Sequence, residues 1–379
     1  MNTPRPFVLQ VRSSAGLYGA DRVVLALNRG IPRQGARARL LSINNYRMQE
    51  QALHDTASAT GQDAVLLPCR GRVDAATVSA LVAQIGAARE PVVHVHDYKS
   101  AFYAWLATRR RPAPLVATLH GWVEESTSLR LYTRLELALL RRFDALVVVA
   151  EEQVGRLVRV GIPRSRIHHL ANGIDCPERD EDGARILREQ LGLAPSSRIF
   201  AAVARLSSEK NLPMLLRAFA PVAARHPDAV LLLVGDGPQR EELQALAEQL
   251  SLGSQVRLLG CRHDMPAVYT LAHALVLPSL TEGMPLVVLE AMACEVPVIA
   301  SAVGDIPRLL AHADHGRLLP PGDAAALEAA LDEACTLPVR RDAAARRHVL
   351  EHHSSQTMVR AYLELYDSLR ERAHARRAS

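Results

Sequence analysis

The stretch TEGMPLVVLEAM, residues 281–292, sets two carboxylates in a segment otherwise built for burial. Glu282 precedes a Gly-Met-Pro turn, and Glu290 interrupts the apolar run Leu286, Val287, Val288, Leu289, Ala291, Met292. A carboxylate in such surroundings is costly unless something hydrogen-bonds to it, so each needs a partner, and a ligand would serve. Upstream, HALVLPS (273–279) has the length and apolarity of a buried strand, TEGM reads as the turn, and Pro285 suits the first residue of a helix. That order puts Glu282 just ahead of the helix and Glu290 one to two turns inside it. The backbone N–H groups of Gly283, Met284 and Leu286 become candidate ligand donors, and an ionised Glu290 is suited to accept from a vicinal diol.

The same strand–turn–helix rhythm extends in both directions. Apolar runs of strand length recur at 7–11, 38–43, 64–68, 91–96, 114–120 and 145–150, with helical periods between several of them, as in Arg22–Gly30 and Leu129–Arg142. The rhythm restarts after Asn172, with runs at 198–204, 229–235, 255–260, 273–279, 297–301 and 315–322. Hydrophobicity that is continuous along each run suits parallel strands covered on both faces by helices. The expected fold class is therefore α/β, with two doubly wound domains. Their boundary is expected near ANGIDCPERDEDGA (171–185), where Gly, Pro and acidic residues gather. Ligands of open parallel sheets collect beyond the carboxyl ends of strands, so two such domains are expected to face one another across a cleft.

A chain of 379 residues is long for one core and favours two domains. No apolar run reaches the roughly 18–20 residues of a spanning helix, and MNTPRPFVLQV lacks the zones of a secretion signal, so a cytoplasmic location is expected. Five scattered cysteines in no CxxC spacing argue against a disulfide framework or a structural zinc. The net charge of +5 is uneven: residues 1–175 hold 23 Lys/Arg and 14 Asp/Glu, against 22 and 26 in the remainder. Arg109, Arg110, Arg111, Arg130, Arg134, Arg141 and Arg142 fit a solvated face, contact with anionic lipid headgroups at the inner face of a membrane, or an acidic acceptor. Nucleic acid is disfavoured, because no aromatic-rich basic patch or reading motif accompanies them.

Further candidates stand at other strand ends. Arg205 follows RIFAAVA, and Lys210 opens onto a helix with Leu212, Leu215, Leu216 and Phe219 on one face. Two cations beside a helix N-terminus suit a diphosphate. In VGDGPQREEL (234–243), Gly235 and Gly237 permit a tight turn and Pro238 suits a first helical turn, but the full GxGxxG spacing is missing, which disfavours a nicotinamide dehydrogenase. His120 closes PLVATLH. His94, His96 and Asp97 raise a metal hypothesis because alternate strand residues share a face, yet no further ligands are spaced to complete a set. Shaping the cleft together with Tyr98 and Lys99 is the preferred role.

The run from Arg205 to Pro307, ARLSSEKNLPMLLRAF … LLLVGDGPQREEL … VRLLG … PSLTEGMPLVVLEAMACEVPVIASAVGDIPRLL, closely resembles family 4 of the retaining nucleotide-sugar glycosyltransferases, which have the GT-B fold. Several ordered motifs over about a hundred residues carry the likeness, and a weaker one extends it over most of the chain. The resemblance implies that Arg205 and Lys210 grip a donor diphosphate, Glu282 meets the donor sugar, Glu290 the ribose, and backbone around Gly260 and Cys261 the nucleobase. It further implies a Gly-rich turn by the phosphates. Here that turn reads Leu17-Tyr18-Gly19-Ala20, with Gly19 in the second glycine position and Tyr18 in the first. His120 resembles the family's histidine near the donor sugar.

By that resemblance, residues 1–172, His94 to Lys99 among them, form an acceptor-side domain onto which a C-terminal helix (354–379) packs back, and 173–353 bind the nucleotide sugar. The expected reaction is retaining transfer of a sugar, from UDP-sugar in preference to GDP-sugar, onto a glycan or lipid-linked hydroxyl in surface polysaccharide or glycoconjugate assembly. No cofactor or divalent metal is expected, and the one Asp-x-Asp, Asp180-Glu181-Asp182, is placed in the linker. Two alternatives stay open: a nucleotide-sugar epimerase or hydrolase on the same fold, and a non-catalytic nucleotide or lipid-surface binding protein.

Overall fold

Apolar runs without alternation become parallel strands, and among the described residues most of them lead to a helix. The computed structural model describes residues 5–14, 16–120, 138–314, 316–338 and 340–378. Two compact units emerge: Met1–Gly173 together with Ser355–Ser379, and Ile174–Ser354.

The first unit holds a seven-stranded sheet in the order β3-β2-β1-β4-β5-β6-β7. Its strands are β1 (Phe7–Arg12), β2 (Arg37–Ile43), β3 (Ala64–Leu67), β4 (Pro91–Val95), β5 (Leu115–Leu119), β6 (Ala145–Val148) and β7 (Ile167–His169), all paired in parallel. Leu9, Val11, Val93, Val95 and Leu146 are fully or almost fully buried in its core, against Val78, Leu81 and Ile85 of the helix Ala75–Ala87. The helix Ser355–Ala378 belongs to this unit and buries Met358, Tyr362, Leu365 and Tyr366. Strand β7 is too short, at three residues with two histidines, to stand out in the sequence.

The second unit has a six-stranded parallel sheet in the order β10-β9-β8-β11-β12-β13. It comprises β8 (Arg198–Val203), β9 (Ala229–Val234), β10 (Val256–Gly260), β11 (Ala274–Leu277), β12 (Val298–Ser301) and β13 (Arg317–Leu319). Phe200, Leu231, Leu233 and Val276 pack with Leu215, Leu216 and Phe219 of the helix Leu212–Arg225, the residues whose spacing announced that helix. In each sheet the strand order reverses once, between β1 and β4 and between β8 and β11, and such reversals open crevices at carboxyl ends.

Several local expectations need correction. Asp180-Glu181-Asp182 is not linker: Asp180 caps the helix Glu181–Gln190, its carboxylate accepting from Gly183 N at 2.8 Å while its own N–H donates to Thr270 Oγ1 at 2.9 Å. Pro285 is the N-cap in extended backbone, with Leu286 the first residue of the helix Leu286–Ala293. Pro238 lies in the turn, and the following helix starts only at Arg240. The last strand is confined to Arg317–Leu319 because Pro320 follows it and supplies no N–H. Most of the helical stretch 129–142, including Arg130 and Arg134, and the Gly121-Trp122 pair lie outside the described residues. Among the described residues no helix is long and apolar enough to cross a membrane. All five cysteines are free thiols.

Candidate active site

In the second unit the loops after β8 and β11 are fastened together at the reversal of strand order. Ser208–Lys210 form a short 3-10 turn, and Asn211, in left-handed backbone at φ 52°, turns the chain into the helix Leu212–Arg225. Asn tolerates that conformation better than most side chains. The N–H of Leu280 donates to the carbonyl of Glu209 at 2.8 Å, tying the β11 loop to the β8 loop. Ser207 Oγ donates to the Glu209 carboxylate at 2.6 Å and stiffens the turn.

This frame brings Lys210 Nζ to 2.6 Å from Glu282 Oε1, which also accepts from Ser279 Oγ at 2.7 Å. The side chains are 18% and 8% exposed, so the pair is largely shielded from water. Arg205 is exposed on the same β8 loop. Glu290 is 4% exposed within its helix, and Oε2 accepts from Tyr269 Oη at 2.7 Å. Both carboxylates of the opening stretch therefore find protein partners, as their burial demands. Gly283 and Met284 are buried in the turn between them, and Leu286 starts the helix.

Close backbone contact explains the glycines. Gly304 (φ 56°) lies after β12, and a Cβ there would sit 2.3 Å from the carbonyl oxygen of Gly283 and 2.5 Å from that of Glu282. Asp305 N donates to the Gly283 carbonyl at 2.9 Å, so this third loop backs the Glu282 turn. Gly235 (φ 130°) meets Ala204, where a Cβ would lie 1.9 Å from the carbonyl oxygen, and its N–H donates to the Gly260 carbonyl at 2.8 Å. Gly260 ends β10 at φ 68° beside a register shift, and Cys261 follows it, exposed. Sequence reasoning missed Gly304, Ser279 and Tyr269. The strand-end glycine in AVGD was the one available signal.

The first unit carries its own polar cluster at the carboxyl ends of β1, β4 and β5. Arg12 ion-pairs with the buried Asp21 and donates to the His96 carbonyl at 2.8 Å. Ser13 N donates to Asp97 at 2.8 Å, and Asp97 caps the helix Tyr98–Arg110 through Ser100 N. Gly19 is the first residue of the helix Gly19–Arg33. Tyr18 is its N-cap, and the Tyr18 N–H donates to Asp21 at 2.9 Å. A Cβ on Gly16 would meet the Tyr18 ring at 2.8 Å, so Tyr18 folds over Gly16.

His120 Nε2 lies 3.1 Å from His96 Nδ1, and His96 Nε2 lies 2.6 Å from Gln10 Oε1. His94 spans Thr118 Oγ1 and Tyr366 Oη, at 2.7 Å each, and Thr118 Oγ1 lies 3.0 Å from Tyr362 Oη. Burial drives His94 down to about 3. It also lowers His96, with help from His94, His120 and Arg12, and lowers His120, with help from Arg12 and His94. All three rings are thus neutral near pH 7. Among the described residues no group of three or more His, Cys, Asp or Glu could hold a metal ion. The nitrogens of His94 and His96 instead hydrogen-bond to the protein.

Comparison with known proteins agrees with this architecture. Residues 18–178 match the family model for Glycosyltransferase Family 4, and residues 184–348 match that for Glycosyl transferases group 1. The D-inositol 3-phosphate glycosyltransferase of Mycobacterium sp. (strain KMS) is 32% identical over 279 residues, 69% of this chain. The chain spans 62% of that relative's length. The putative glycosyltransferase EpsF of Bacillus subtilis (strain 168) is 30% identical over 312 residues, covering 79% of this chain and 80% of EpsF. Anabaena HepE, solved in complex with UDP-glucose, superposes with a TM-score of 0.81 at 20% identity, over 96% of this chain and 99% of HepE, which gives the fold as GT-B. Since one family model falls on each unit in chain order and a 30% identical relative is matched over most of its length, the chain belongs to glycosyltransferase family 4.

Proposed function

We propose that this chain transfers a sugar from a nucleoside diphosphate sugar to a hydroxyl of a glycan or lipid-linked acceptor, retaining the anomeric configuration and needing no divalent metal. The observation that carries the proposal is the Lys210–Glu282 pair at the β8/β11 reversal, with Arg205 on the same loop. It sets a cation suited to phosphate beside an anion suited to sugar hydroxyls, at the place where open sheets bind ligands. In the reaction the bond from the anomeric carbon to the diphosphate oxygen breaks and its electron pair stays on that oxygen. Arg205 and Lys210 stabilise the charge that develops there, the acceptor oxygen bonds to the same face of the carbon, and its proton passes to the departing phosphate.

Glu282 orients the donor sugar, and Glu290, held by Tyr269, accepts from the ribose. His120 hydrogen-bonds a sugar hydroxyl, Gly19 lets the backbone of its turn approach phosphate, the backbone at Gly260 and Cys261 borders the nucleobase, and Gly235 forms a tight turn near the donor. UDP-sugar is the favoured donor, in keeping with the UDP-glucose complex of HepE. The excess of arginine in residues 1–175 supports cytoplasmic work against an anionic membrane surface, with surface polysaccharide or glycoconjugate as product.

Thermal melting with UDP- and GDP-sugars identifies the donor, because only a ligand that prefers the native state raises Tm. Incubation with that donor and candidate acceptors, with and without EDTA, followed by NMR of the product anomer, then tests the transfer. A retained anomer formed in EDTA is the expected result. Free epimerised or hydrolysed sugar under every acceptor would overturn transfer, as would donor binding with no turnover.

A further inference from the structure

Buried histidines are usually read one at a time, but His96 and His120 share one hydrogen bond, and its direction is fixed from behind. With the amide oriented as in the structure, Gln10 Oε1 lies 2.6 Å from His96 Nε2 and can only accept, so His96 Nε2 carries the proton. A neutral imidazole has one N–H, which leaves His96 Nδ1 as an acceptor. His120 Nε2, 3.1 Å away, must therefore donate, and the lone pair of His120 falls on Nδ1. The frame around the pair is rigid. His94 lies 4.1 Å from His96 between ring centroids, and it is pinned by Thr118 and by Tyr366 of the helix Ser355–Ala378. Arg12 holds the His96 carbonyl, and its charge opposes a proton on either ring.

We propose that His96 is a positioning residue that holds His120 in the Nε2–H tautomer, so that His120 presents Nδ1 as an acceptor to a sugar hydroxyl. The proposal rests on the functional reading of His120 given above. It assigns that residue a direction: it binds a group with a proton to give, and a substrate whose contacting hydroxyl is replaced by fluorine or a methyl ether loses the bond. Gln10 and His96 touch no substrate and act through His120 alone.

The test uses the full chain with 15N-labelled histidine and long-range proton–nitrogen correlation, assigned with His96→Asn and His120→Asn. The expected spectrum has His120 protonated at Nε2 and bare at Nδ1. In His96→Leu the two His120 tautomers should mix, whereas His96→Asn, whose amide oxygen falls near the lost Nδ1, should restore one. With the donor found by melting, His96→Leu should lower kcat/KM for transfer about 10–100-fold, leave the affinity for UDP alone unchanged, and be rescued by His96→Asn. A His120 protonated at Nδ1 in the native chain overturns the proposal, and so does a tautomer unmoved by His96→Leu. Gln10→Leu supplies the same readout should His96→Leu fail to fold. The spectra decide the tautomer even if no transfer is found, so failure of the functional reading and failure of this inference are told apart.

Discussion

Lys210 Nζ sits 2.6 Å from Glu282 Oε1, joining side chains 72 positions apart across the one reversal of strand order in the second sheet. Each charge satisfies the other, and a diphosphate and a sugar hydroxyl are suited to take up one member each. Lys210→Ala should lower kcat/KM roughly 100–1,000-fold, the usual cost of removing one group that stabilises developing charge, and Glu282→Ala, which removes the group that orients the donor sugar, about 100-fold. Each should also cost about 1–3 kcal/mol of stability by leaving a shielded charge unpaired. The double variant should cost less than the sum, because the pair is one interaction. Denaturant melts and steady-state kinetics on the three variants check this, and strict additivity in stability would show that the pair is not coupled.

Tyr269→Phe isolates the second carboxylate. The change removes one hydroxyl and keeps the ring, so the core around it stays filled, but Glu290 loses a 2.7 Å donor in a site only 4% exposed. A loss of about 1–3 kcal/mol is expected. Calorimetry should show weaker binding of UDP than of native chain, while the 2′,3′-dideoxy nucleotide, which has no ribose diol to offer, binds both chains alike. Equal weakening for both nucleotides would place Glu290 away from the ribose.

Gly304→Ala tests the backing of the site. At φ 56° an L side chain is already strained, and the new Cβ would press on the carbonyls of Gly283 and Glu282. The Glu282 turn must shift. Stability should fall by about 2–3 kcal/mol, and donor KM should rise more than kcat falls. An unchanged KM at normal Tm would show that the turn tolerates the displacement.

Among the described residues, twelve of the thirteen strands of the two sheets stood out in the sequence because each lies in a mainly apolar run of strand length. β7 did not, since Ile167-His168-His169 offers one apolar residue to a three-residue strand. The helix Glu181–Gln190 was masked by its acidic start, which reads as linker until Asp180 is recognised as a cap. At the site, Lys210 and Glu282 were legible as charges in the turns after apolar strands, and Glu290 as a charge inside an apolar helical run. Their protein partners were not: Tyr269 meets Glu290 from 21 positions away and Lys210 meets Glu282 from 72, while Ser279, three residues before Glu282, has nothing in the sequence that marks its role. The histidine chain shows the same limit. His94 and His96 share a strand face by simple alternation, but Gln10, Thr118, Tyr362 and Tyr366 arrive from three other elements, and nothing local marks them.

That chain also sets how the first unit responds to acid. His94 titrates at about 3 in the folded protein, against about 6.5 in an unfolded chain. Between those values the unfolded state binds a proton that the folded state refuses, so stability is present in full above pH 6.5 and drains away as pH falls toward 3. The slope is about 1.4 kcal/mol per pH unit for this residue alone, and His96 and His120, lowered for the same reason of burial, steepen it. Replacing His94 by Gln removes one titrating group while keeping donors and acceptors for Thr118 and Tyr366. Urea melts from pH 7.5 down to pH 4.5 should show the native chain losing stability more steeply than His94→Gln, by about one proton's worth of slope. Parallel lines would mean that His94 is already protonated in the folded chain, in which case Thr118 and Tyr366 both accept from it.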